Sequence, residues 1–175
     1  APVAPGTRLD AAQAQRVLRI LERALTELHP GLFRYQTPEA FAADPAYVWR
    51  WYDERRIQLK NVQPNPAHYA LARLEAARGD DFFLLTQNVD ELHERAGSRR
   101  PAHIHGKIWE VRCTREKTVR EDTRAPLPEI PPRCARCGAL ERPNVVWFGE
   151  TIDPEAAAAA ELFLSRREID LILVI

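Results

Sequence analysis

Residues 81–97 read DFFLLTQNVDELHERAG. Phe82 to Leu85 form a short apolar run of the kind that fills a buried strand. The chain leaves that run through Thr86 and sets Gln87, Asn88 and Asp90 close together, ahead of a helical pattern, VDELHERAG, that closes at Gly97. Strand, polar turn and helix make up the repeating unit of an α/β sheet, and ligands bind such sheets outside the carboxyl ends of the strands. Asn and Asp are equally at home in ordinary turns and N-caps. On this stretch alone both readings stay open.

Working outward, the same alternation recurs. Residues 9–28 predict a helix with Val17, Leu18, Leu21, Ala24, Leu25 and Leu28 on one stripe. Thr37-Pro38, Asp44-Pro45 and Asn65-Pro66 each pair a capping residue with proline at the first helical position. They predict a helical segment over 37–78, its middle helix reaching about Leu59 and its last closing near Gly79. AHIHGKIWEVRC (residues 102–113) is β-rich. Residues 114–144 are polar and proline-rich, and such a stretch needs a staple to stay folded. VVWFG (145–149) predicts a strand, DPEAAAAAELFLSRRE a helix opened by Asp153-Pro154, and IDLILVI (169–175) a last strand. An unpaired last strand would favour self-association. Strands alternating with helices give an α/β fold with a parallel sheet, interrupted by an inserted module.

The bulk composition narrows the function. Twenty-five Lys and Arg balance 25 Asp and Glu, so no net field favours nucleic acid or a membrane surface. No apolar run is long enough to span a bilayer and no secretory pattern opens the chain, which points to a cytoplasmic protein. The sequence leaves its oligomeric state open.

Three further sets of residues carry chemistry. Cys134-Ala-Arg-Cys137 is a metal knuckle, and Cys113-Thr-Arg-Glu116 has the spacing of a second one with Glu in the last place. Glu116 either completes a tetrahedral zinc site or faces solvent, and the metal-free alternative is three buried thiols. His105 precedes Gly106 where a strand enters the module, and a neutral imidazole there suits a general base. His103 lies two residues away, and spacing does not choose between them. Tyr52 and Arg55 stand three apart on a predicted helix, where phenol and guanidinium together make a carboxylate clamp. The alternative packs Trp49 and Tyr52 in the core with the arginines solvated.

TQNVDELHERAG, HIHGKIWEVRC, the Cys-x-x-Cys knuckle and RPNVVWFGE, in that order, resemble the sirtuins, NAD-dependent protein-lysine deacylases. The resemblance runs from about Gly31 to Ile175. It implies an incomplete Rossmann-like NAD-binding domain from 31–106 and 143–175, a small zinc module at 107–142, and residues 1–30 outside the match. It implies NAD and zinc as cofactors and acyl-lysine proteins or peptides as substrates. Gln87, Asn88 and Asp90 then line the nicotinamide ribose pocket. His105 is the base that deprotonates a ribose hydroxyl after the acyl oxygen has displaced nicotinamide, and the products are free lysine, nicotinamide and an O-acyl-ADP-ribose. Val146, Trp147, Phe148, Gly149 and Glu150 match the strand that pairs with the substrate backbone, with Val146 and Phe148 near the acyl-lysine tunnel. Cys113, Cys134, Cys137 and Glu116 hold zinc. Tyr52 and Arg55 match the YxxR pair of desuccinylase- and demalonylase-type members, which implies acidic acyl groups as preferred substrates and acetyl as a weaker one.

The pattern departs from the family in three places. Gly31-Leu32-Phe33 resembles the GLW stretch, but the glycine-rich phosphate loop does not precede it. The GTS segment does not follow the last strand, and Glu116 replaces a cysteine. Relative to the family the sequence is expected to be truncated at both ends. This leaves a second reading, an incompetent fragment or a zinc-bearing module that binds acyl-lysine peptides without turnover.

Overall fold

Three capping residues set the first half of the chain. In the computed structural model, which describes residues 35–165 and 169–175, the Thr37 hydroxyl accepts from the Ala40 N–H and opens helix α1, Pro38–Ala43. Asp44 accepts from the Tyr47 N–H and opens α2, Pro45–Leu59. Asn65 accepts from Ala67 and His68, whose ring accepts in return from the Asn65 N–H, and this capping box opens α3, Pro66–Arg78. Gly79, at φ 56°, closes α3 in a conformation that favours glycine. All three helices lie where the caps predict them. The expected helix over 9–28 and the Gly31-Leu32-Phe33 stretch lie outside the described residues.

The strands form two sheets. Leu85–Thr86 (β1) pairs in parallel with Ala102–His103 (β2), so that Thr86 faces His103. Gly106–Cys113 (β3) is central to an antiparallel sheet, with Val119–Glu121 (β4) on one side and Glu141–Val145 (β5) on the other. The parallel pair with its flanking helices keeps the strand–turn–helix order expected from 81–97, but the strand is only Leu85–Thr86 and Leu85 is exposed where a buried strand was expected. The antiparallel sheet carries the cysteine segment. No helix among the described residues is long and apolar enough to cross a membrane.

Three other boundaries differ from the sequence expectation. The helix after β1 is only Leu92–Arg95 (α4), because Glu91 sits in the left-handed region at φ 60° and Asp90 accepts from the Leu92 N–H. The strand expected at 145–149 is displaced to 141–145. Its ladder with β3 ends at Gly106↔Val145, and the chain then turns, with the Glu150 N–H donating to the Trp147 carbonyl. Pro143 is tolerated because β5 is an edge strand. Residues 169–175 form no strand, and Leu171 to Ile175 are exposed. A strand needs a neighbour to satisfy its backbone, and none of the described residues supplies one there. The last described helix is Pro154–Ser165 (α5), capped by Asp153 as expected.

The core joins α1 and α2 to the antiparallel sheet through Phe41, Val48, Trp49, Tyr52, Ile108, Val111, Leu127, Val145 and Trp147. Polar ties from α2 fix the cysteine segment to it. Trp49 Nε1 donates to the Glu141 carbonyl at 2.7 Å, Arg56 Nε to the Ile108 carbonyl at 2.9 Å, and Asp53 accepts from the Leu127 N–H at 2.9 Å. In a buried setting each such bond also avoids the cost of an orphaned partner.

Candidate functional site

At the carboxyl end of β1, Gln87 and Asn88 are exposed, and their side-chain amides have no partner among the described residues. Asp90 is already engaged as the acceptor that starts α4. The loop itself is held rigidly. His103 points one ring nitrogen at the Asn88 carbonyl, 2.9 Å, and the other at Glu94 Oε1, 2.7 Å. Both partners only accept, so both nitrogens are best protonated. Burial works against that charge, but the Glu94 carboxylate and Asn88 carbonyl outweigh it and raise the His103 pKa. Burial would raise Glu94, yet the bonds from His103 and Lys107 hold it down at about 2. Lys107 completes the network, 2.9 Å from Glu91 and 3.1 Å from Glu94.

The structure thus separates the two histidines that spacing left equivalent. His103 is a buried brace. His105 is half-buried, and its ring meets no hydrogen-bond partner among the described residues. Its carbonyl accepts from the Val146 N–H at 2.9 Å, which ties the free imidazole to the 146–150 segment. Gly106 makes this approach possible. It has φ 74°, and a Cβ there would lie 2.1 Å from the Asn144 carbonyl oxygen.

The 146–150 segment hangs on one arginine. Arg142 is nearly buried and grips Glu150 with two parallel bonds, 2.6 and 2.8 Å, while its plane lies 3.4 Å from the Trp147 ring centre. Glu150 Oε2 also accepts from the Trp147 N–H at 2.8 Å, and Trp147 Nε1 donates to the Tyr52 hydroxyl at 2.9 Å. Glu150 is therefore spent on shaping the loop. The Val146 carbonyl and the Gly149 N–H remain without a partner among the described residues, and Val146 and Phe148 are half-buried. Arg142 was not singled out in the sequence; its place just before the VVWFGE stretch was the available signal.

Loss of Arg142 should therefore be costly. Arg142→Ala strips Glu150 of its only charged partner and Trp147 of the guanidinium over its ring, and is expected to lower stability toward the low end of the about 3–5 kcal/mol seen when one partner of a buried pair is removed. Arg142 also holds the Glu150 carboxyl below its ordinary value against the opposing effect of burial. A depressed carboxyl stabilises the fold above its unfolded pKa and loses that contribution as pH falls toward the lowered one. Urea melts from neutral pH down to about pH 3 should show a shallower acid limb in the variant. Equal melts and equal limbs would contradict the pairing.

Tyr52 and Arg55 are given different surroundings. Tyr52 is buried, and burial pushes its phenol well above the usual range, so the hydroxyl keeps its proton. Arg55 is exposed, with its guanidinium over the Trp51 ring at 4.6 Å. The structure does not bring them together as a formed clamp. It buries Arg56 instead, held down to a pKa of about 10 by its desolvation. Its position seven residues after Trp49 and four after Tyr52 places it on the core face, a signal the sequence did contain.

The cysteines converge as the knuckles require. One ligand atom from each of Cys113, Glu116, Cys134 and Cys137 lies within 4.8 Å of the others. Cys113 and Cys137 sulfurs are 3.5 Å apart, and the Glu116 N–H donates to Cys113 Sγ at 3.3 Å, a bond that favours the thiolate and lowers the Cys113 pKa. Glu116 Oε2 is buried with no hydrogen-bond partner; Arg136 Nε is 3.4 Å away without hydrogen-bonding alignment. Three thiols and a carboxylate oxygen within 4.8 Å of one another form a donor set that can hold zinc.

The Sir2 family pattern matches residues 30–175. The chain is 48% identical over 124 residues to an NAD-dependent protein deacylase of Aquifex aeolicus, covering 71% of this chain and 52% of that protein. It is 52% identical over 128 residues to one of Methylococcus capsulatus, covering 69% and 49%. The chain thus spans about half the length of the curated relatives it matches. Among solved structures, a Sir2 homolog–NAD complex superposes with a TM-score of 0.69 at 36% identity, covering 94% of this chain and 72% of that one. Sir2Tm bound to a propionylated peptide superposes at 0.61 with 30% identity, covering 73% and 55%. Matched over residues 30–175, more than half of its length, the chain belongs to the Sir2 family.

Proposed function

We propose that the protein is an NAD-dependent protein-lysine deacylase. The observation that carries this reading is the unbonded His105 ring, fixed through its own carbonyl to a segment with unpaired backbone groups. The relatives' names and the NAD and peptide complexes of the neighbouring structures support it. Bound NAD would supply a ribose carbon that accepts the acyl oxygen as nicotinamide leaves. The free amides of Gln87 and Asn88 suit the hydroxyls of that ribose, and Asp90 holds the turn that presents them. His105 takes the proton from a ribose hydroxyl. Val146 and Gly149 offer the peptide a carbonyl and an N–H, a strand-addition mode that gives affinity with loose side-chain demands. Phe148 flanks the acyl-lysine, and Glu150 keeps the segment in shape. Cys113, Cys134, Cys137 and Glu116 hold zinc as a staple remote from the chemistry. None of the three cysteines forms a disulfide, which fits a cytoplasmic location.

The test is nicotinamide release from NAD in the presence of acylated and unacylated peptides. Release that requires the acyl group supports the reading, and release independent of it contradicts it.

We further propose a preference for succinyl- and malonyl-lysine. The Tyr52 hydroxyl accepts from Trp147 and so retains its own proton to donate, and Arg55 can leave Trp51 for a carboxylate. Tyr52→Phe and Arg55→Gln should each cut the succinyl-to-acetyl ratio of kcat/KM by about tenfold, the worth of one charge-assisted hydrogen bond. An unchanged ratio would assign both residues to packing alone.

A further inference from the structure

Arg112 faces Arg142 directly across the β3–β5 ladder. Like charges so placed repel. Arg142 is satisfied by Glu150, whose two oxygens it takes, and by the Val145 and Pro143 carbonyls. Asp153, also on this side, spends Oδ1 on the Ala156 N–H. Arg112 is half-buried, and its guanidinium makes neither a hydrogen bond nor an ion pair among the described residues. A guanidinium carries five donors, and leaving them all unused in a half-buried place is costly.

Arg112 also lines two cavities. One, of about 310 Å³, adds Phe41 and Trp147 as apolar wall and Lys117, Arg142 and Glu150 as charged groups, three cations with Arg112 against one carboxylate. The other, of about 130 Å³, runs past Val146, Glu150 and Asp153. The 146–150 segment contributes to the walls of both, so a peptide laid along it carries its neighbouring side chains past Arg112.

We infer that Arg112 is a specificity-determining residue that binds the carboxylate of an acidic side chain flanking the acyl-lysine in the substrate. This rests on the peptide-binding reading of residues 146–150 given above. The two neighbouring carboxylates leave the guanidinium to such a ligand: Glu150 is held by Arg142, and Asp153 caps α5.

Fluorescence anisotropy of labelled acetyl-lysine peptides tests it. One peptide has neutral flanks, and the others carry Glu at one of the two positions on either side of the acetyl-lysine. At least one Glu peptide should bind about tenfold more tightly than the neutral one, and the ratio should shrink as salt screens the charge. Arg112→Gln should bring that ratio to about one, while Arg112→Lys should keep part of it. No Glu preference in the wild type, or a preference that survives in Arg112→Gln, overturns the inference and leaves acyl-lysine binding intact. Failure of every peptide, the neutral one included, overturns the peptide-binding reading and this inference with it.

Discussion

Cys134→Ser is expected to abolish stoichiometric zinc and to unfold the segment between β3 and β5. Structural zinc in small modules is worth about 10–16 kcal/mol of apparent binding energy at neutral pH, as much as the whole stability of an ordinary domain. The segment has little else of its own. Leu127 reaches the shared core, and Trp49, Asp53 and Arg56 of α2 hold its edges. Metal analysis and thermal melting of wild type and variant check this. An equimolar metal content and unchanged melting in the variant would show that these thiols are not the ligands. Glu116→Ala should be milder, because three thiolates remain, and Glu116→Cys should tighten zinc by restoring a softer donor.

His105→Ala should separate stability from activity. The ring makes no hydrogen bond among the described residues, so its removal should leave the melting temperature close to that of the wild type. Loss of a positioned general base costs about 10²–10⁴-fold in rate, so turnover of acyl-lysine peptide should fall by that much. His103→Ala should do the reverse first. It strips the buried partner from Glu94 and the Asn88 carbonyl and should destabilise the 86–97 loop. If His105→Ala keeps its turnover, the base lies elsewhere.

Much of this was legible in the sequence because local rules dominate where they apply. Thr37, Asp44 and Asn65 place three helices through hydrogen bonds that span two or three residues. The cysteine spacing likewise carries its own geometry. What stayed hidden depends on contacts far apart in the chain. The choice between His103 and His105 turns on Glu94 and Asn88, and the roles of Arg142 and Arg112 turn on a strand register. Arg56 stands on the helix face that Trp49 and Tyr52 mark, but the carbonyls of β3 that satisfy it lie more than fifty residues away. The misplaced strands at 145–149 and 169–175 share one cause: apolar composition marks a candidate strand, but only a neighbour with free backbone groups makes one.

The most direct measurement follows the acyl group. The protein is incubated with NAD and an acyl-lysine peptide, and the small-molecule products are weighed by mass spectrometry. Deacylation through His105 should give an O-acyl-ADP-ribose in step with free lysine and nicotinamide. Release of the acyl group as a free acid without NAD consumption, or no release at all from any acyl-lysine peptide, would contradict it.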